Sequence, residues 1–469
     1  MGSSDMGPRG IDPEFLTDLA HYVAIPSVSR DSDPATMRAA ADFLAAQLAF
    51  ADGRVTDGAG NPVVRGDWLG APGRPTVLVY GHYDVQPEGD HARWHSPPFE
   101  LTADTHGGTP VLRGRGVTDD KGPVLVVLAM ARDLLAREGA LPLNVKFLFE
   151  GEEEIGSPNL PAYVAAHAAE LAADLVISAD GAMWRPDSPS LPIGSKGLLG
   201  FDIEVTGPER DLHSGRYGGI VANPALVLAS LITSLRHGDG SIAVAGFYDG
   251  VPPLSIERRA EIAAVDFDEG AFLAAAGAGE PFGEPGYSTL ERLWERPTLE
   301  LNGIRSGATA TVIPAVATAH LTCRLVPGQD PQGVFDAIHT HLTARPDCGT
   351  TVRIVAEPGA VPAYRIPADH PAIRAGVAAL ESLAPPGDAP RPPVLLDVVA
   401  GTLPCTTMFE ELLGIKTMLF SFSTSDENLH GPDEFFRVPR IAAGMRAWEQ
   451  LWRLLADGPH RLTTTGATS

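Results

Sequence analysis

Short, largely apolar runs at positions 76–80, 144–149 and 174–178 punctuate the first part of the chain, with a helical pattern over 123–137 between the first two. Runs of this length without polar alternation predict strands buried on both faces, and helices between them predict an α/β sheet. Each run stops at an acidic or histidine cluster. Because the carboxyl ends of strands line the ligand crevice of open α/β sheets, chemistry is expected there. From about residue 196 the texture becomes alternating, with strands predicted over 198–206 and 309–326 and a helix over 223–236. After about residue 363 the α/β texture resumes, with a helix over 371–382 and a strand over 416–421. The pattern predicts a discontinuous α/β domain, residues 16–196 and 362–469, interrupted by an inserted α+β domain over 197–361. Two domains also suit 469 residues, which exceed the usual size of one hydrophobic core.

Charge narrows the partners. With 35 Lys and Arg against 59 Asp and Glu, the net charge of −24 repels nucleic-acid phosphates and anionic lipid heads. The longest apolar stretch, 123–131, is far short of the ~20 residues that span a bilayer, and no cleavable signal precedes the first helical pattern. Cys323, Cys348 and Cys405 form no C-x-x-C pair and fit neither a disulfide framework nor a thiolate zinc site. A reducing cytoplasm, with no nucleic-acid or membrane partner, is expected. Residues 1–15, polar and rich in Gly and Pro, read as a vector-derived leader or a disordered terminus outside the fold, and 384–393 as a Pro-rich surface loop.

Chemistry concentrates in a few segments. His82 and Asp84 follow the first strand in Tyr-Gly-His-Tyr-Asp-Val-Gln-Pro, and a hydrogen-bonded pair is the plainest reading of that spacing alone. Asp119 and Asp120 open the 123–137 helix, where a carboxylate can also serve as a cap. Glu150, Glu152, Glu153 and Glu154 crowd the end of the second strand, and such like charges repel unless solvent or a cation neutralises them. Asp180 follows the third strand and His430 the late one. Oxygen and nitrogen donors at strand ends, without cysteine, point to a hydrolytic two-metal site rather than a structural zinc site, with Asp84 placed to orient His82.

These segments, together with Arg-Asp-Leu-His-Ser-Gly-Arg-Tyr-Gly-Gly from Arg210 and Cys-Arg-Leu-Val-Pro from Cys323, resemble the metallodipeptidase family that includes carnosinases and cytosolic nonspecific dipeptidases. The resemblance runs in order from about Ile25 to Phe436. It implies a catalytic α/β domain with a mixed central sheet and an inserted α+β lid that also dimerises the chain. It further implies two divalent metal ions per chain, zinc first and manganese or cobalt as alternatives. Asp119 would bridge them, His82 and Asp180 completing one coordination set and Glu154 and His430 the other. Glu153 would be the general base to a metal-bridging water, with Asp84 supporting it, in cleaving dipeptides or short peptides. His213 would stabilise the oxyanion in the partner subunit's site, Arg324 would bind the substrate carboxylate, and Asn302 and Gly401 would be further substrate contacts. A cis peptide is implied at Asp119-Asp120. The family commonly has Asn where Asp433 precedes Glu434, a departure expected to disturb local hydrogen bonding. The competing activities are N-acyl amino-acid deacylation and carboxypeptidase action on the same scaffold. A non-catalytic metal-binding scaffold is a more distant rival, since a merely structural site needs no free carboxylate such as Glu153 beside its metal.

Overall fold

A computed structural model describes residues 11–31, 33–307, 310–344, 349–383 and 393–458. Cys348 and nearly all of the Pro-rich stretch lie outside them. The chain folds as two compact units, one of residues 1–193, 366–397 and 404–469, the other of residues 194–365 and 398–403.

The first unit is built on a six-stranded mixed sheet. Thr76–His82 lies at its centre, parallel to Asn144–Glu150 on one side and to Leu175–Ser178 on the other, with Thr417–Leu419 parallel beyond. The three apolar runs thus form neighbouring strands, as their lack of polar alternation requires. Val63–Trp68 and Arg54–Thr56 extend the other edge antiparallel. Helix Lys121–Glu138 packs against helices Pro13–Val23 and Val438–Asp457, and the last also meets Pro371–Ser382. Val438–Asp457 buries Val438, Ile441, Ala447, Trp448, Leu451, Trp452 and Leu455, one face at helical spacing. Gly444 keeps this face close to its neighbours, since an added Cβ would lie 3.1 Å from Val126 Cγ1 and 3.2 Å from the Phe422 ring.

The expectation that residues 1–15 stand outside the fold fails at their end. Asp12 caps the Pro13–Val23 helix, and Phe15, only 2% exposed, joins the core. The apolar spacing Phe15, Leu19, Tyr22 and Val23 begins inside the segment whose composition suggested a leader.

The second unit is an antiparallel four-stranded sheet in the order Thr298–Ser306, Val316–Leu325, Gly197–Thr206, Thr351–Ala356. In Val316–Leu325 the buried Ala317, Ala319, Leu321, Cys323 and Leu325 alternate with the less buried Thr318, His320, Thr322 and Arg324. Helices Pro224–Ser234 and Pro331–Thr343 cover the apolar face with Leu228, Leu231, Val334, Ile338 and Leu342. No helix among the described residues is long and apolar enough to cross a membrane.

Candidate metal centre

Parallel strands bring their carboxyl ends to one edge of the first unit's sheet. His82 ends the central strand, fully buried, with Nε2 3.1 Å from Asp119 Oδ1 and 4.0 Å from Asp180 Oδ2. Its Nδ1 lies 3.0 Å from the Asp84 carbonyl. A carbonyl only accepts, so the proton of a neutral His82 belongs on Nδ1 and the Nε2 lone pair faces the two acids. The strand reaches this point through Gly81, where a Cβ would stand 2.6 Å from Asp120 Oδ2.

Asp84 is buried and serves the adjacent turn as well. Its carboxylate accepts from the backbone N–H groups of Glu153 at 3.2 Å and Glu154 at 3.1 Å. The short Glu153–Ile155 helix is thereby pinned beside His82. Gln86 Nε2 donates to Glu154 Oε2 at 2.8 Å, and His430 Nε2 lies 3.2 Å from the same oxygen. Asp119 joins the two sides, Oδ1 facing His82 and Oδ2 standing 3.0 Å from His430 Nε2. The Asp119-Asp120 peptide is cis.

Donor atoms of His82, Glu153 and Asp180 lie within 4.8 Å of one another, and so do those of Asp119, Glu154 and His430. All six residues were expected at the site, but Glu153 stands as near the first group as a ligand would. Electrostatics fits a cation. Burial pushes the Glu153 carboxyl well up, with Asp180 adding to it, and raises Glu154 to about 8 with help from Asp119. Asp180 is pushed up to about 6 by burial, which outweighs the attraction of His82. For Asp119 burial acts upward too, but the hydrogen bonds of His430 and His82 prevail and hold it below the carboxylate range. A divalent cation would stabilise the ionised form of every acid here, and mixed carboxylate and imidazole donors suit zinc, manganese or cobalt. A third grouping, Asp202, His320 and Glu357, lies on the second unit's sheet with side chains 36% to 59% exposed, and reads as a surface ion cluster.

The remaining expected residues belong to the second unit. Arg324 is half-buried and donates to Thr402 Oγ1 at 2.7 Å, beside Gly401. Asn302 sits in a bulge between Leu301 and Gly303 and accepts from Thr322 Oγ1 at 2.8 Å. Nothing within the unit requires glycine at 401, where a Cβ would meet only Val399 Cγ1 at 3.7 Å. His213 is exposed, in a two-residue strand paired with Val312–Ile313, and its Nδ1 accepts from the Gly215 N–H.

Comparison with known proteins identifies the family. Residues 78–454 match the model of Peptidase family M20/M25/M40. The chain belongs to that family. Over 359 residues, 71% of this chain and 73% of the relative, the peptidase is 34% identical to the Cys-Gly metallodipeptidase DUG1 of Candida albicans. An M20 family metallo-carboxypeptidase from Sulfolobus solfataricus has TM-score 0.80 and 29% identity, covering 95% of this chain and 100% of that one. The di-peptidase Dug1p from Saccharomyces cerevisiae has TM-score 0.76 and 26% identity, covering 95% and 96%. The resemblance drawn from the motifs is therefore correct, and the peptidase is a metal-dependent hydrolase of peptide bonds with a catalytic α/β unit and an α+β lid unit.

Two of its details were not legible in advance. The Asp433 carboxylate accepts from the His95 N–H at 2.7 Å and pairs with the His95 ring. Glu434 and Glu427 are fully buried around the His430 loop. Their lone positions in the sequence carry no periodic signal; only the proximity of Glu434 to His430 hinted at a part in the site.

Proposed function

We propose that the peptidase is a dipeptidase with two divalent cations per chain, held by His82 and Asp180 on one side, Glu154 and His430 on the other, and Asp119 between them. The observation that carries this reading is the Asp119 carboxylate, whose two oxygens face two different histidines. Cations bound there would supply Lewis acidity, polarising a carbonyl oxygen and acidifying water. Glu153 is the general base: no hydrogen-bond donor among the described residues occupies its carboxylate, which is free to take a proton from the attacking water and return it to the leaving amine. Asp84 holds both His82 and the Glu153 turn. Zinc is the first choice of metal, and a reducing cytoplasm suits Cys323 and Cys405, both buried and free.

Arg324 is read as the partner of the substrate's free carboxylate, a task a planar guanidinium performs bidentately. Asn302 and Gly401 complete that end. Amidating the C-terminus of a good dipeptide is then expected to reduce kcat/KM by ~1.5–3 kcal/mol, the range for hydrogen bonds to charged groups. Equal rates on acid and amide would remove the contact.

His213 is read as an oxyanion donor acting across a homodimer of the lid unit. His213→Ala should keep its metals while kcat falls by ~10²-fold or more, the usual loss for one such donor. Mixing His213→Ala with Glu153→Gln subunits should restore about a quarter of wild-type activity, because half of randomly paired dimers carry one intact site of two. Subunit exchange without recovery would confine His213 to its own chain.

The Sulfolobus neighbour, by its name, favours carboxypeptidase action as the second reading. Dipeptides, longer peptides and N-acyl amino acids assayed on metal-stripped enzyme refilled with zinc, manganese or cobalt separate the alternatives. Turnover confined to dipeptides supports the proposal; faster turnover of either other class overturns it.

A further inference from the structure

We infer that Glu434 and Glu427 are positioning residues that set the spacing between Asp119 and His430, and with it the ability of one carboxylate to serve two cations. The inference rests on the two-cation reading above.

Asp119 and His430 are 311 residues apart in sequence, so nothing local relates them. Their loops leave paired strands, Thr109–Arg113 and Phe435–Arg437. One antiparallel pair alone does not fix loop conformation. Glu434, just before the second strand, reaches into the Asp119 loop and accepts four hydrogen bonds there. Its Oε2 accepts from Arg115 Nη1 at 2.7 Å and the Gly116 N–H at 2.9 Å, its Oε1 from the N–H groups of Thr118 at 3.0 Å and Asp119 at 3.2 Å. Glu427, three residues before His430, accepts from Thr118 Oγ1 at 2.6 Å. Ser423 Oγ donates to the Thr118 carbonyl at 2.7 Å. Every polar group of Thr118, the residue preceding Asp119, is thereby tied to the segment that carries His430. Arg115 returns the grip by donating from Nη2 to the Gly431 carbonyl at 3.0 Å.

A buried carboxylate that only stabilised the loop could take its donors anywhere along it. Here Glu434 Oε1 takes the N–H groups of Thr118 and of the shared ligand Asp119 itself, while Glu427 and Ser423 hold the Thr118 hydroxyl and carbonyl. Glu427 also accepts from the Thr424 and Arg437 N–H groups, so its own loop is fixed before it meets Thr118. Outer partners of this kind hold ligands in the orientation a metal requires.

Cobalt(II) titration of metal-free enzyme, followed by calorimetry and by visible absorption, tests the inference. Wild type should bind two equivalents. In Glu434→Gln an amide N–H₂ would face N–H donors and Arg115, and in Thr118→Val the hydroxyl is gone while Glu427 keeps its other donors. Both variants should bind at least one equivalent ~10- to 100-fold more weakly, with an altered cobalt spectrum and with activity rescued by excess metal. Should Glu434→Gln not fold, Thr118→Val decides. Two equivalents bound with wild-type affinity and spectrum, whatever the melting temperature, would reduce both glutamates to structural residues. A wild type that never binds two equivalents would overturn the two-cation reading itself.

Discussion

Glu153→Gln is expected to lower turnover by ~10²- to 10⁴-fold, the range contributed by a positioned general base, while both cations stay bound. The amide preserves shape and keeps the backbone N–H bond to Asp84, but it cannot accept a proton. The wild-type carboxylate is half-buried among acids, and burial, with Asp180 next, raises its pKa. In the loaded enzyme the cations would counter that rise and leave it ionised, able to take the proton. Metal content measured beside kcat/KM makes the result decisive, since Glu153 also stands within donor distance of His82 and Asp180. Loss of one cation together with activity would make it a ligand. Wild-type turnover would take it out of the reaction.

The sequence carried the site further than the fold. Apolar runs marked the central strands because parallel strands are buried on both faces, and their ends located His82, Glu153, Glu154 and Asp180. Alternation marked Val316–Leu325 for the complementary reason, one face buried and one open. The antiparallel strands Arg54–Thr56 and Val63–Trp68 gave no such signal, the first being only 3 residues long and the second interrupted by Arg65, Gly66 and Asp67. Asp119 was legible only through its motif, since a helix-capping role fitted the same position. The bulge at Asn302 depends on register with the neighbouring strand, and no single strand encodes that. The role of Glu434 was hidden for a stronger reason: its place after Asp433 names no partner, and its donors lie 315 to 319 positions away. Its donors can be found only from coordinates.

Asp119→Ala separates a shared ligand from an ordinary one. His430→Ala should weaken one cation and leave the other, because His82, Glu153 and Asp180 remain grouped without it. Asp119 faces both histidines, so its loss takes a donor from each group at once. Affinity for both cations should therefore fall by more than the ~10- to 100-fold seen when an outer partner is lost, and measurable turnover should disappear with them. Charge opposes this outcome in part: without Asp119, Glu154 and Asp180 lose one of the repulsions that raise them and ionise more readily. They cannot replace a carboxylate placed between two imidazoles, because each stands on its own side. Equilibrium dialysis of the variant against zinc or cobalt should find neither cation retained at concentrations that saturate wild type. Retention of one would assign Asp119 to the other, and retention of both would end the bridging role.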